Sequence, residues 1–327
     1  MEPPGGTVAA PLRRGCCAPA DAQYLTGASI HGSEPGPDIL GSGTLATPIG
    51  PGEGPDVGGA AGQERANLSN IAVSSHGGEA LRTIVVGASS GLGRCIGVGL
   101  AQRGAKTALL ARRQERLEGA AKEAGEGTLA ITCDVTSTES CQSAVKEAAE
   151  GLGGIDALVY APGVGPLVRL ADMDAETWRH VFDTNVIGAA LVTAAAMPYL
   201  AESSGNAVFL SSVSASVTPP WPGLGAYAVS KAALDKLVEA WRGEHPTVGF
   251  TRVIVGECLG GEGDSVPGFA DGWDQELAAE VMPVWFARNY MSGSFVGIEN
   301  LIGVVDSVLR QDGAHIPSVT VASRAAG

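Results

Sequence analysis

The chain has 327 residues, of which 21 are basic and 35 acidic, for a formal charge of −14. That balance repels phosphate backbones and anionic lipid, so neither nucleic acid nor a membrane surface is expected as a partner. Its six cysteines form no CxxC pair and no His/Cys cluster. No metal site is therefore expected, and the thiols read as reduced, in a cytoplasmic protein.

Residues 1–80 are dense in Gly, Pro, Ala and Ser and carry no sustained periodicity. They are expected to be a disordered extension without a targeting role. Residues 81–327 are long enough for one α/β domain with a substantial core.

In that domain Thr83–Val86 reads as a buried strand and runs into Gly87-Ala88-Ser89-Ser90-Gly91-Leu92-Gly93, followed by a helix to Gly104. Glycines at such a turn let the backbone bend tightly and approach a pyrophosphate, whose charge is met by amides at the helix N-terminus. Taken alone the turn is also compatible with a tight strand-to-helix connection holding no ligand. A strand over Lys106–Ala111, a helix over Gln114–Ala124, a strand over Thr128–Thr132 and a helix over Ser137–Gly151 follow. Next come a strand at Ala157–Tyr160, helices around Ala175–Asp183 and Asn185–Leu200, a strand at Ala207–Leu210 and a helix at Ala226–Arg242. Phe250–Val255 is the sixth strand and Val319–Val321 a short seventh. The alternation predicts a Rossmann-type α/β fold, a doubly wound parallel sheet of about seven strands with helices on both faces. Val186–Ala201, an uncharged alanine-rich stretch, falls short of the roughly 20 residues that span a bilayer and is read as a buried or interface helix.

Two places carry chemistry. Tyr227 and Lys231 stand four residues apart, so on a helix they share one face. A free phenol has a pKa of about 10, and a fixed positive charge beside it favours phenolate. General acid–base work at a carbonyl then becomes possible, although a packed tyrosine next to a solvated lysine would give the same spacing. The second strand ends Ala111-Arg112-Arg113, with no carboxylate to bind a ribose diol. Two guanidiniums there favour the 2′-phosphate of NADP(H) over NAD(H), and Arg94 is a further candidate for it.

The glycine turn and the YxxxK pair, with Cys133-Asp134-Val135, Thr184-Asn185-Val186 and Leu210-Ser211-Ser212-Val213 in the same order, resemble the short-chain dehydrogenase/reductase family from about Leu81 to the C-terminus. The resemblance is to its short, single-domain branch. It implies an NADP(H)-dependent oxidoreductase of the carbonyl reductase kind, interconverting a secondary alcohol and a ketone. Gly87, Ser89, Ser90, Gly91, Leu92 and Gly93 would hold the coenzyme with Arg112 and Arg113, while Asp134 and Val135 would meet the adenine. Tyr227 would transfer the proton and Ser212 would bind the reacting oxygen. Lys231 would lower the tyrosine pKa and hold the nicotinamide ribose, and Asn185 would retain a water leading to solvent. Spacing alone selects Ser214 for the serine, whereas the local pattern selects Ser212. The resemblance also implies a homo-dimer or homo-tetramer.

Val86, Tyr160-Ala161-Pro162-Gly163 and Gly256-Glu257-Cys258-Leu259-Gly260-Gly261 depart from the family pattern, the last in the segment that in the family contacts the nicotinamide. They keep open a catalytically idle NADP(H)-binding regulatory or scaffold module. Sugar-nucleotide epimerase chemistry, a third reading, does not match the glycine spacing. The aromatic-rich segment from Glu262 to Phe295 is expected to cover the substrate, which would then be a small apolar alcohol or carbonyl compound; packing onto the core would explain the same side chains.

Overall fold

In the computed structural model, residues 80–258, 260 and 268–324 are described. The expectations for residues 1–79 and for Glu262–Pro267 lie outside that range.

The strands are β1 (Arg82–Val86), β2 (Lys106–Ala111), β3 (Leu129–Thr132), β4 (Ala157–Tyr160), β5 (Asn206–Ser212), β6 (Gly249–Val255) and β7 (Ser318–Val321). All pair in parallel, in the order β3-β2-β1-β4-β5-β6-β7. The order reverses between β1 and β4, where a doubly wound sheet opens a crevice at its strand ends. The helices are α1 (Gly91–Gln102), α2 (Gln114–Ala124), α3 (Thr138–Leu152), α4 (Ala175–Phe182), α5 (Gly188–Ser203), α6 (Val213–Ser216), α7 (Gly225–Glu244), α8 (Gln275–Ala287) and α9 (Ile298–Leu309).

Side chains of a strand alternate between faces, so each central strand must be apolar throughout if both faces are covered. β1 does this with Ile84 and Val86 on one side and Val85 on the other. The first face packs against apolar residues of α3, α5 and α7, among them Val145, Val192 and Leu234. The second packs against α1, α2 and α9 through Ile96, Leu117 and Val305. At its centre Phe209 lies fully buried between Tyr160 and Phe250, with ring centroids 6.3 and 6.4 Å away.

Three differences from the sequence reading matter. The helices expected as separate around residues 183 and 185 are joined by a π-helical turn, Asp183–Ile187. The joined run, Ala175–Ser203, is 29 residues long and apolar enough by length and composition to cross a membrane, which no segment was expected to be. Half of its most apolar stretch is buried inside the fold, as a core helix requires. The run meets α3 and α7 there. Second, β5 continues to Ser212, which puts both serines of the pair Ser211-Ser212 inside the strand. Third, α8 and α9 were not foreseen as helices. α9 has a plain amphipathic pattern, with Leu301, Ile302, Val305, Val308 and Leu309 buried, so periodicity could have found it.

Candidate active site

The C-terminal ends of β1, β2, β4, β5 and β6 border a cleft of about 840 Å³. One end is built by the glycine turn. Gly87 has φ +79° and Gly91 φ +57°, backbone conformations that L side chains rarely adopt. Gly93 lets α1 close on the turn, since a Cβ there would stand 2.9 Å from the carbonyl carbon of Gly87. The Ser90 side chain forms no cap on α1, whereas Ser137, Asp174 and Asp274 cap their helices. The first amides of α1 therefore remain available to an anion in the cleft.

Arg113 reaches back over this turn. Its guanidinium donates to Ser89 Oγ at 2.9 and 3.1 Å and to Ser90 Oγ at 2.6 Å. Arg112 and Arg116 also line the cleft, so three guanidiniums border the end of β2. Arg116 was missed because it lies a turn inside α2, where sequence offers no sign of its direction. Arg94 was a candidate for this group, but it pairs instead with Glu123 and does not line the cleft. Asp134 and Val135 line the adjoining wall. Asp134 Oδ1 accepts from the Thr136 amide at 3.0 Å and hydroxyl at 2.8 Å, bonds that hold its carboxyl below the usual range. It is thus also a turn residue, the alternative that sequence left beside adenine binding.

At the other end α7 carries Tyr227 and Lys231 into the cleft on one helix face. Lys231 is buried and donates from Nζ to Leu210 O at 2.8 Å and Pro162 O at 3.5 Å. Burial brings its pKa down to about 8, opposed by the charge of Asp235 one turn later. Its Nζ lies 5.8 Å from the Tyr227 ring centroid. The Tyr227 phenol is pushed up to about 12 by burial, while the neighbouring Ser212 hydroxyl draws it down. Burial is the larger of these two influences, and in these surroundings Tyr227 is a protonated group able to donate.

Ser212 and Ser214 both line the cleft, with their hydroxyls 2.9 Å apart. Ser212 Oγ accepts from the Ser214 amide at 3.2 Å, and the Ser212 hydroxyl is the one that draws the Tyr227 phenol's pKa down. Asn185 lies on the π-helical turn, fully buried, and does not line the cleft. Its Nδ2 donates to Val164 O and Ser230 Oγ, both at 2.9 Å, and its Oδ1 accepts from Val164 N at 2.8 Å. Both amide hydrogens are taken by protein. Asn185 fixes the loop after β4 against α7.

A short chain dehydrogenase family model matches residues 82–260. The chain belongs to the short-chain dehydrogenase/reductase family. The "11-beta-hydroxysteroid dehydrogenase-like 2" protein of Arabidopsis thaliana is 34% identical over 179 residues, which make up 53% of this chain and 58% of that one. The chain spans about half the length of curated relatives such as this one. Among solved structures, an alcohol dehydrogenase from Thermococcus sibiricus complexed with 5-hydroxy-NADP has a TM-score of 0.62 at 23% identity, covering 74% of this chain and 96% of that one. The 3-ketoacyl-(acyl-carrier-protein) reductase from Brucella melitensis, complexed with NADH, has a TM-score of 0.63 at 19% identity, covering 75% and 97%. These two share the fold. With the family established, the chain has that family's Rossmann-type fold.

The residues present suit a nicotinamide dinucleotide. The uncapped helix amides and left-handed glycines can hold a diphosphate, and the cleft continues from there to Tyr227 and Lys231. Among the described residues no group of His, Cys, Asp and Glu could hold a metal ion.

Proposed function

We propose that this protein is an NADP(H)-dependent oxidoreductase that interconverts a secondary alcohol and a ketone, with Tyr227 as the acid and base. The carrying observation is the juxtaposition of Tyr227, Ser212 and Lys231 at one end of a cleft whose other end holds Arg112, Arg113 and Arg116. The amides of Gly91–Gly93 would hold the diphosphate, the three guanidiniums the 2′-phosphate, and Asp134 with Val135 the adenine. The bound coenzyme supplies the hydride.

The chain's own groups manage the proton and the reacting oxygen. A carbonyl oxygen placed between Ser212 Oγ and Tyr227 Oη accepts a hydrogen bond from each, and both bonds strengthen as negative charge gathers on that oxygen. The phenol, protonated across the physiological range, then gives up its proton. Lys231 stands behind it as the nearest cation and limits the cost of the phenolate. In the direction of alcohol oxidation the same phenolate must form first, so oxidation should favour higher pH than reduction.

The apolar cover of the cleft, with Trp221, Trp273, Met282 and Trp285, suits an uncharged substrate. Turnover of a ketone panel with NADPH and NADH tests the reading. NADPH is expected to give the larger kcat/KM, and Arg113→Ala to erase that preference chiefly through KM. Tyr227→Phe is expected to lower kcat by roughly 10²–10⁴-fold. Equal use of both coenzymes would reject the NADP(H) preference, and full activity in Tyr227→Phe would reject the mechanism.

A further inference from the structure

The loop after β4 and the short turn Gly268–Ala270 meet beside Tyr227. The Phe269 ring stands edge-on to the Tyr227 ring, with centroids 4.9 Å apart at 65°. On its other side it makes a second edge contact with Trp273, at 5.7 Å and 73°. Trp273 is tied down in turn, because its Nε1 donates to Gly165 O at 2.9 Å. Gly165 gives Phe269 its seat. A Cβ at that position would come within 2.7 Å of Phe269 Cε2 and 3.1 Å of Tyr227 Cδ2, so any side chain would displace the ring.

Phe269 also borders two cavities. One is the cleft holding Tyr227 and Ser212; the other is a hollow of about 490 Å³ reaching Asp174, Thr177 and His180 on the near end of α4. The ring is the side chain that meets the catalytic phenol, the main cleft and this hollow together.

We propose that Phe269 is the wall that limits the smaller of the two substituents on the carbonyl carbon. An oxygen placed between Ser212 and Tyr227 leaves its carbon beside the phenol, and the substituent directed toward Gly165 meets the Phe269 ring. A methyl group fits there and a longer alkyl chain does not, whereas the opposite substituent runs along the open aromatic cleft. Removing the ring joins the hollow to the cleft and creates room where wild type has none. The proposal rests on the ketone-reducing reading and adds the shape of the substrate to it.

The test uses two isomeric ketones of equal formula, methyl pentyl ketone and dipropyl ketone, which differ in the size of the smaller substituent. In the full-length protein with NADPH, the methyl ketone is expected to have a kcat/KM at least about tenfold higher, the scale of discrimination that a few methylenes permit. Phe269→Ala should raise the dipropyl-to-methyl ratio by about tenfold or more, and Phe269→Trp should lower it below wild type. Phe269 is 37% exposed on a three-residue turn, so neither change threatens the fold. A ratio that stays within about twofold of wild type in both variants overturns the proposal. If wild type reduces neither ketone, the functional reading has failed, and the wall is judged from affinity alone. The dissociation constants of the two ketones, read by quenching of tryptophan fluorescence, should then show the same reordering across the three proteins; an unchanged order would overturn the wall as well.

Discussion

Ser212 and Ser214 show how far a residue's role depends on its partner. Spacing in the chain pointed to Ser214 and local pattern to Ser212; both hydroxyls line the cleft, and the influence of Ser212 on the Tyr227 phenol favours Ser212. Ser212→Ala should therefore lower kcat by about two or more orders of magnitude, the scale of a lost oxyanion donor. Ser214→Ala, assayed beside it with the same ketone, should stay within about tenfold of wild type, because its hydroxyl bonds Ser212 and acts on the substrate through that neighbour in the proposed mechanism.

Lys231 offers a second prediction at this scale. Its pKa in the folded chain is about 8, below the unfolded value of about 10.4, so between those values the unfolded chain binds more protons. The contribution of Lys231 to stability must then rise with pH through that window. Above about pH 10 the Tyr227 phenol reverses the trend, since its folded pKa is raised and its contribution is lost as pH increases. Urea unfolding of wild type and Lys231→Met at pH 8.0 and 9.5 should show wild type gaining on the variant. A difference that stays flat between the two pH values would mean that the lysine is not held in a desolvated site.

At the scale of an element, the turn between β1 and α1 depends on what glycine lacks. In Gly93→Ala the new methyl group meets the Gly87 backbone, which has no rotamer to yield. Overpacking of this kind typically costs 1–3 kcal/mol, so the thermal midpoint should fall, and NADPH affinity should fall with it because the α1 amides move. A Gly119→Ala control, where nothing lies within 4 Å, should leave both unchanged or slightly improved.

The limits of the sequence reading also belong to elements. β2, α2 and β4 were bounded at the residues observed, because each is a short apolar or amphipathic run between Gly, Pro or charged punctuation. The join of α4 to α5 was not legible. A π-helical turn differs from a helix end only in which carbonyl an amide selects, and Asp183-Thr184-Asn185 is as good a cap as it is a continuation.

For the whole molecule, the sheet sets the rigidity on which the site depends. Phe209, between Tyr160 and Phe250 in the middle of the first face, has no solvent exposure and no space into which its neighbours can relax. Phe209→Ala should cost about 3–5 kcal/mol, measurable by denaturant unfolding, and should loosen β5 and with it Ser212. Phe209→Leu should recover most of the loss. Arg82 reinforces the same sheet from its opposite end, donating from N and Nε to the buried Asp156 at 2.9 Å and so fastening β1 to the start of β4.

The amino-acid sequence alone determined the class of fold, the glycine turn and the pairing of Tyr227 with Lys231. Each of these depends on residues close together in the chain, where alternation, turn chemistry and helical spacing act directly. Tertiary structure decided that Ser212 and Ser214 reach the cleft together, that Arg116 joins Arg112 and Arg113 while Arg94 turns to Glu123, that Asn185 grips Val164, and that burial raises the tyrosine's pKa. These outcomes depend on distances between segments far apart in the chain and on how much water the packed core removes from each group, and neither quantity exists until the sheet and its helices have closed.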